Sequence, residues 1–118
     1  MKTMKIIFGI LAIASAFAFT NIQVFDTSIK INVRNELGNI EEGVSVQLYG
    51  SEEDYRKEQN PVTEVAITDK KGNVKFKDLE AKIYFVNAKK GDKNNVGAGV
   101  KTDMLEAGKL NKVTIIIE

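Results

Sequence analysis

Asp92, Asn94 and Asn95 put three oxygen-bearing side chains within four positions, and Asp103 follows further along the chain. This is the nearest approach to a metal site in the sequence. Calcium is the cation such oxygens suit, but it takes six to eight of them, usually with several carboxylates and a bidentate glutamate. The 91–95 loop therefore reads first as a solvated turn, with Asp92, Asn94 and Asn95 as a calcium candidate short of the EF-hand pattern. Other chemistry is excluded by composition. The 118 residues include no His and no Cys, which removes thiol nucleophiles, disulfides, Ser-His-Asp triads and zinc sites of the His/Cys kind. There is no Trp, so a sugar-stacking platform would rest on Tyr49 and Tyr55 alone. No nucleophile–base or acid–base pair stands out among the Ser, Lys and carboxylate side chains. The expectation is a chain without catalytic residues and without a cofactor.

Charge is segregated along the chain. Residues 36–58 hold seven acids and two bases, and residues 70–93 hold eight bases and three acids. Such a dipolar pattern steers a charged partner or supports head-to-tail association when it survives folding, and it disappears when neighbouring strands neutralise each other. The candidate partner-binding residues are Tyr55, Arg56 and Lys57 after the acidic run, and Lys75, Lys77, Lys89, Lys90 and Lys93 in the basic one. Formal net charge is only +1, so nothing global draws the chain to nucleic acid.

The elements that must carry these residues are strands. Ile29, Ile31 and Val33 alternate with Lys30, Asn32 and Arg34, a period of two that buries one face. Val44–Tyr49 repeats the pattern, with Gly43 before it at a place that suits a residue without a Cβ. Gly50–Pro61 breaks it. Ser51 followed by Glu52, Glu53 and Asp54 reads as an N-cap and acidic first turn, and Pro61 would stop a helix by Asn60. Further strands are expected at Val62–Thr68, Val74–Phe76, Ile83–Ala88, Val96–Thr102 and Val113–Ile117, with a tight turn at Gly72. Leu79 is expected to plug a corner of the core. Ile83–Ala88 is apolar on both sides, so it must be central or covered. Seven short strands with turns between them predict an all-β, Greek-key-like β-sandwich with one short helical excursion after the second strand.

Lys2 and Lys5, an apolar run from Ile6 and the small residues ending at Ala18 have the form of a secretory signal peptide, with cleavage expected after Ala18 or Ala16. The apolar stretch Ile6–Phe19 has 14 residues, short of the roughly 20 that span a bilayer. No Cys follows to take a lipid. Residues 1–18 are thus read as a signal, 19–27 as a short leader and 28–118 as one domain, periplasmic or secreted, with no membrane span after cleavage. Without residues 1–18, Lys+Arg falls from 17 to 15 against 16 acids, a net charge of −1. Of the 38 apolar residues that remain, 20 are Val or Ile, which suits strands.

Val33-Arg34-Asn35-Glu36-Leu37-Gly38-Asn39 followed by Glu42-Gly43-Val44-Ser45-Val46-Gln47-Leu48 resembles the opening of a carboxypeptidase-regulatory-like or prealbumin-like domain. Thr68-Asp69-Lys70-Lys71-Gly72-Asn73-Val74-Lys75-Phe76-Lys77-Asp78-Leu79 is similar to that family's T-D-x-x-G-x-V-x-F-x-x-L. Ile83-Tyr84-Phe85-Val86 is similar to its G-x-Y-x-V, although Ala81-Lys82 replace the usual Pro-Gly corner. The resemblance covers residues 28–118 and implies a seven-stranded sandwich used as an accessory, adhesive or spacer module. Two catalytic relatives are excluded by residue type. Transthyretin-like hydrolases need histidines and a C-terminal Tyr-Arg-Gly-Ser, and intradiol dioxygenases hold iron with two Tyr and two His. Collagen-adhesin B-type domains join a Lys to an Asn, which the resemblance would place at Lys30 and Asn111. Their assisting acid, four residues after a Tyr, would fall at Ala88, and without it the reaction lacks its proton shuttle. The expected role is an exported, non-catalytic binding or accessory module of the cell envelope, partnered by another envelope or extracellular protein. An adhesin or pilus-like structural subunit, self-associating through exposed edge strands, is the alternative. A glycan-binding module is third.

Overall fold

The computed structural model describes residues 26–118. The signal segment and most of the leader lie outside the described residues. Seven strands and one short helix follow in order: β1 Ser28–Asn35, β2 Ser45–Tyr49, α1 Glu52–Lys57, β3 Ala66–Ile67, β4 Asn73–Phe76, β5 Phe85–Lys90, β6 Lys93–Asn94 and β7 Leu110–Ile117. They form two sheets, β4-β1-β7 and β3-β2-β5-β6, which is the expected all-β sandwich with its helical excursion after the second strand. Among the described residues, no helix is long and apolar enough to cross a membrane.

The alternation in β1 becomes a division between core and surface. Ile29, Ile31 and Val33 are fully buried, while Lys30, Asn32 and Arg34 sit on the outer face. The opposing layer is Val44, Val46 and Leu48 with Tyr84, Val86 and Ala88, and β7 adds Ile115 and Ile117. Leu79 packs against this core as expected. β1 is antiparallel to β4 and parallel to β7, with eight register pairs running from Ser28–Leu110 to Asn35–Ile117. β5 lies between β2 and β6, and its second apolar face is covered at Phe85 by Tyr55 of α1. Both conditions that a doubly apolar strand requires are thus met.

The turn before β4 needs glycine. Gly72 has φ +78°, and a Cβ there would lie 2.9 Å from the Val33 carbonyl oxygen and 2.7 Å from Ile40 Cγ2. Left-handed backbone costs an L-residue about 1–2 kcal/mol, and the backbone contact has no flexible atom to yield.

β5 runs Phe85–Lys90 where Ile83–Ala88 is expected, and β7 begins at Leu110, not Val113. Three further differences are larger. The helix stops at Lys57, not Asn60, because Glu58 turns left-handed at φ 49°. The third strand shrinks to Ala66–Ile67. The sixth is not Val96–Thr102 but Lys93–Asn94, a hairpin return from β5. Residues 95–102 instead run beside β5 and hold it mainly by side chains. The Tyr84 N–H donates to Thr102 Oγ1 (3.0 Å), and the Ala88 N–H donates to Asn95 Oδ1 (3.0 Å). Backbone bonds in this stretch are few, among them Val86 N–H to Val100 O and Thr102 N–H to Tyr84 O. Thr68 does the same on β2, accepting from the Val44 N–H (2.9 Å) and donating to the Glu41 carbonyl (2.8 Å). Among the described residues, every buried side-chain nitrogen and oxygen has a hydrogen-bond partner.

Candidate functional site

The sequence candidates separate into three places. Tyr55, Arg56 and Lys57 sit on α1. Its start is set by Ser51, whose Oγ accepts from the Asp54 N–H at 3.1 Å, and its acidic first turn and basic last turn match the helix dipole. Arg56 pairs with Glu52, and Lys57 with Glu53 at 3.1 Å. Tyr55 turns inward. Its ring meets Tyr49 edge-on (6.1 Å between centroids) and lies tilted on Phe85 (6.4 Å), and burial pushes its phenol above the ordinary range. Tyr55 thus seals the helix to the sheet. A shallow depression of about 370 Å³ beside it is lined by Glu52, Arg56, Val96 and Val100 as well.

The second place is where the acidic and basic stretches meet. Lys89 pairs with Glu58 at 3.0 Å. Lys90 and Lys93 both reach Glu41, at 3.0 and 3.6 Å, and Asn35 Nδ2 donates to the same carboxylate at 3.1 Å. The Lys90 ammonium bonded to Glu41 holds its carboxyl below the ordinary value of 4.5, against an opposing push from burial. Lys89 does the same for Glu58, and the Asn73 N–H does so for Asp69. These folded values lie below the unfolded ones. Their stabilisation is therefore complete above the unfolded carboxylate range and is lost as pH falls through the folded values. The expected result is an unfolding midpoint that is flat near neutrality and drops on acidification below about pH 4.5. Glu41→Gln should flatten part of that acid limb in a thermal melt series from pH 3 to 7. An unchanged limb would show that the Glu41 cluster contributes nothing to it.

The calcium candidates do not converge. Asn95 is fully buried, and its amide is used within the fold: Oδ1 takes the Ala88 N–H, while Nδ2 donates to Val86 O (2.9 Å) and Gly99 O (3.0 Å). Asn94 Oδ1 accepts the Val96 N–H at 2.9 Å. Asp92 stays exposed in the β5–β6 turn. Among the described residues, no group of three or more His, Cys, Asp or Glu is placed to hold a metal ion.

Lys30 and Asn111 lie on opposite faces. Lys30 is on the outer face of β1, in register with Lys112. Asn111 is in register with the core residue Ile29, and its Nδ2 donates to the carbonyls of Ser28, Glu106 and Lys109. Ala88, the position of the expected acid, is buried in an apolar cluster. The geometry gives no path for acyl transfer between Lys30 and Asn111.

The third place holds Lys75, exposed on the outer face of β4, with Lys77 just beyond the strand end. The register sets Lys75 opposite Lys30, and Lys30 opposite Lys112. The sequence reading picked out Lys75 and missed Lys30 and Lys112 as its companions. The alternation showed that Lys30 faces outward, but the strand order that lines the three up is not written in any local pattern.

No protein-family model matches the chain, and no curated protein matches it. Solved structures do match, among them two pilin subunits. The chain is similar to a Streptococcal ancillary pilin, at 18% identity and TM-score 0.54, over 81% of this chain and 33% of that one. It is also similar to BcpA*(D312A), the major pilin subunit of Bacillus cereus, at 15% identity and TM-score 0.52, over 80% of this chain and 30% of that one. The chain spans about a third of the length of either pilin. At these identities the likeness establishes one thing for this chain, an all-β sandwich fold of the kind found within those pilin subunits.

Proposed function

We propose that the protein is an exported, non-catalytic structural subunit of a surface assembly, pilus-like in its use of the sandwich as a building block. The observation that carries this reading is the free edge of β7. This strand is eight residues long and borders its sheet, and among the described residues β1 is the one strand it pairs with. Only at its end do Asn94 and Glu118 exchange backbone bonds. Lys112 is the single charge in Leu110–Ile117, the strand has no proline, and its register with β1 runs unbroken, so one lysine is all that blunts this edge in the ways monomeric proteins use. Beside it runs a groove of about 470 Å³ that includes the exposed Met104 and Leu110. An extended segment of another subunit would add to this edge by backbone pairing and seat apolar side chains in the groove. Because edge and added segment are different surfaces, such a contact is open-ended and propagates. The pilin neighbours support this use of the fold over the envelope-binding module expected first.

Sedimentation velocity across a hundredfold concentration range tests it. The chain without residues 1–18 should assemble with concentration. Ile116→Glu, which charges the edge opposite Arg34 in the register, should stay monomeric with an unchanged circular dichroism spectrum. A wild-type chain that is monomeric throughout would instead favour the accessory-module reading.

A further inference from the structure

The outer face of the β4-β1-β7 sheet carries a row of three lysines, Lys75–Lys30–Lys112, one from each strand and each directly opposite the next. Neighbouring strands lie about 4.8 Å apart, so the row sets like charges side by side twice. That arrangement is destabilising in a sheet. None of the three is in an ion pair among the described residues, whereas Lys57, Lys89, Lys90, Lys93 and Lys109 all are. Asp69, whose carboxyl feels the Lys30 charge, has its carboxylate turned onto the Lys71 and Asn73 N–H groups. The next row is uncharged: Asn32 Nδ2 donates to Asn73 Oδ1 (2.8 Å) and to the Lys71 carbonyl (2.9 Å), its Oδ1 accepts from Arg34 Nε (2.7 Å), and Thr114 lies on the far side. Lys30, Lys112, Asn32, Asn73 and Thr114 line a shallow depression of about 260 Å³. A basic row thus borders a row of hydrogen-bonding amides across the whole width of a sheet face.

We propose that this face binds a linear anionic glycan through its charges. The outward positions of the three strands hold no aromatic side chain, so neither bases nor sugar rings have a surface on which to stack. The surface is open and flat, where one small anion meets one solvated lysine and gains little. A polymer with closely repeated sulfate, carboxylate or phosphate groups meets all three lysines at once and releases the counterions they and it had held, which makes its binding strong only at low salt. Asn73 and Thr114 are placed to hydrogen-bond the hydroxyls between the charges, the Asn32 amide being taken up within the fold. A duplex nucleic acid would present its phosphates to the same lysines and polar side chains, so DNA is the competitor in the test.

Binding of the chain to dextran sulfate, polygalacturonate, a polyglycerol-phosphate glycan, uncharged dextran and duplex DNA at 20 and 200 mM salt tests this. The expected result is binding to one or more of the anionic glycans at 20 mM salt, weakened at least tenfold at 200 mM, and none to dextran. Which glycan binds best identifies the anionic group. The triple variant Lys30→Gln, Lys75→Gln, Lys112→Gln should lose at least tenfold in affinity while unfolding no more easily than wild type, because it relieves two like-charge contacts. A control with the same change in net charge, Lys57→Gln, Lys89→Gln, Lys109→Gln, should keep its affinity. Equal loss in the control, no binding at 20 mM salt, or tighter binding to DNA would each overturn the proposal. The sedimentation state in the same buffer is read separately, so a failure here leaves the β7 assembly reading standing, and the reverse.

Discussion

Asn95→Ala should lower stability by about 3–5 kcal/mol, the larger of the two losses argued here. The side chain has no solvent exposure, and all its hydrogen bonds go to backbone: the Ala88 N–H, the Val86 carbonyl and the Gly99 carbonyl. Truncation leaves one donor and two acceptors without that partner in the interior. Each such group costs about 1–3 kcal/mol, reduced where a water can enter the vacated space. For a domain of this size a loss of 3 kcal/mol should lower the melting temperature by at least about 12 °C. Asn95→Asp separates the roles. It keeps the acceptor for the Ala88 N–H, loses both donated bonds and buries a carboxylate, so at pH 7 it should be no better than alanine. Toward pH 5 the carboxyl takes up a proton, becomes a donor, and the gap to wild type should narrow. If Asn95→Ala melts within about 3 °C of wild type, less than 1 kcal/mol by the same scale, the 95–102 segment is not what holds β5.

Ile31→Ala should cost about 3–4 kcal/mol. Ile31 lies in the central strand of its sheet, between Val74 of β4 and Val113 of β7, with no exposure. Three carbons are lost, worth roughly 0.8 kcal/mol each in transfer from water. A cavity penalty adds to this because two neighbouring strands prevent collapse. Ile31→Val should cost only about 1 kcal/mol. Equilibrium urea unfolding of the three chains gives both numbers. A loss under 1 kcal/mol for alanine would mean that this layer is not packed against the opposite sheet.

These two residues also show what could be read from sequence and what could not. Ile31 was legible because a strand with one buried face repeats every two residues. The same rule placed β2 and β4, a doubly apolar run placed β5 two residues early, the β-branched run from Val113 placed the second part of β7, and cap chemistry placed α1. Asn95 reads as part of a solvated turn, with calcium ligation as the second reading, and it is buried. A polar residue in a glycine-rich loop looks alike whether its amide faces water or replaces a strand neighbour, and only the position of β5 decides between them. Val96–Thr102 failed as a strand for the same reason: β5 has its edge satisfied there largely by the Asn95 and Thr102 side chains, so no full ladder forms. The charge segregation was legible, but its result was not. Glu41 and Glu58 meet Lys89, Lys90 and Lys93 across the fold, while Lys30, Lys75 and Lys112 are left unpaired among the described residues on the other sheet. The lysine row depends on the order β4-β1-β7, a long-range property with no local signature.

The parallel pairing of β1 with β7 determines how the molecule carries tension. Ser28 lies at the Leu110 end of the ladder and Ile117 at the Asn35 end. A pull applied through the start of β1 and the end of β7 slides the two strands lengthwise past each other. The ladder then resists in shear, with all its bonds strained together, and does not unzip one bond at a time. Forced unfolding is limited by the rate of crossing that barrier, not by equilibrium stability. The β1–β7 ladder therefore resists stretching in shear, in a fold where Lys30 and Asn111 face away from each other and form no covalent brace between them.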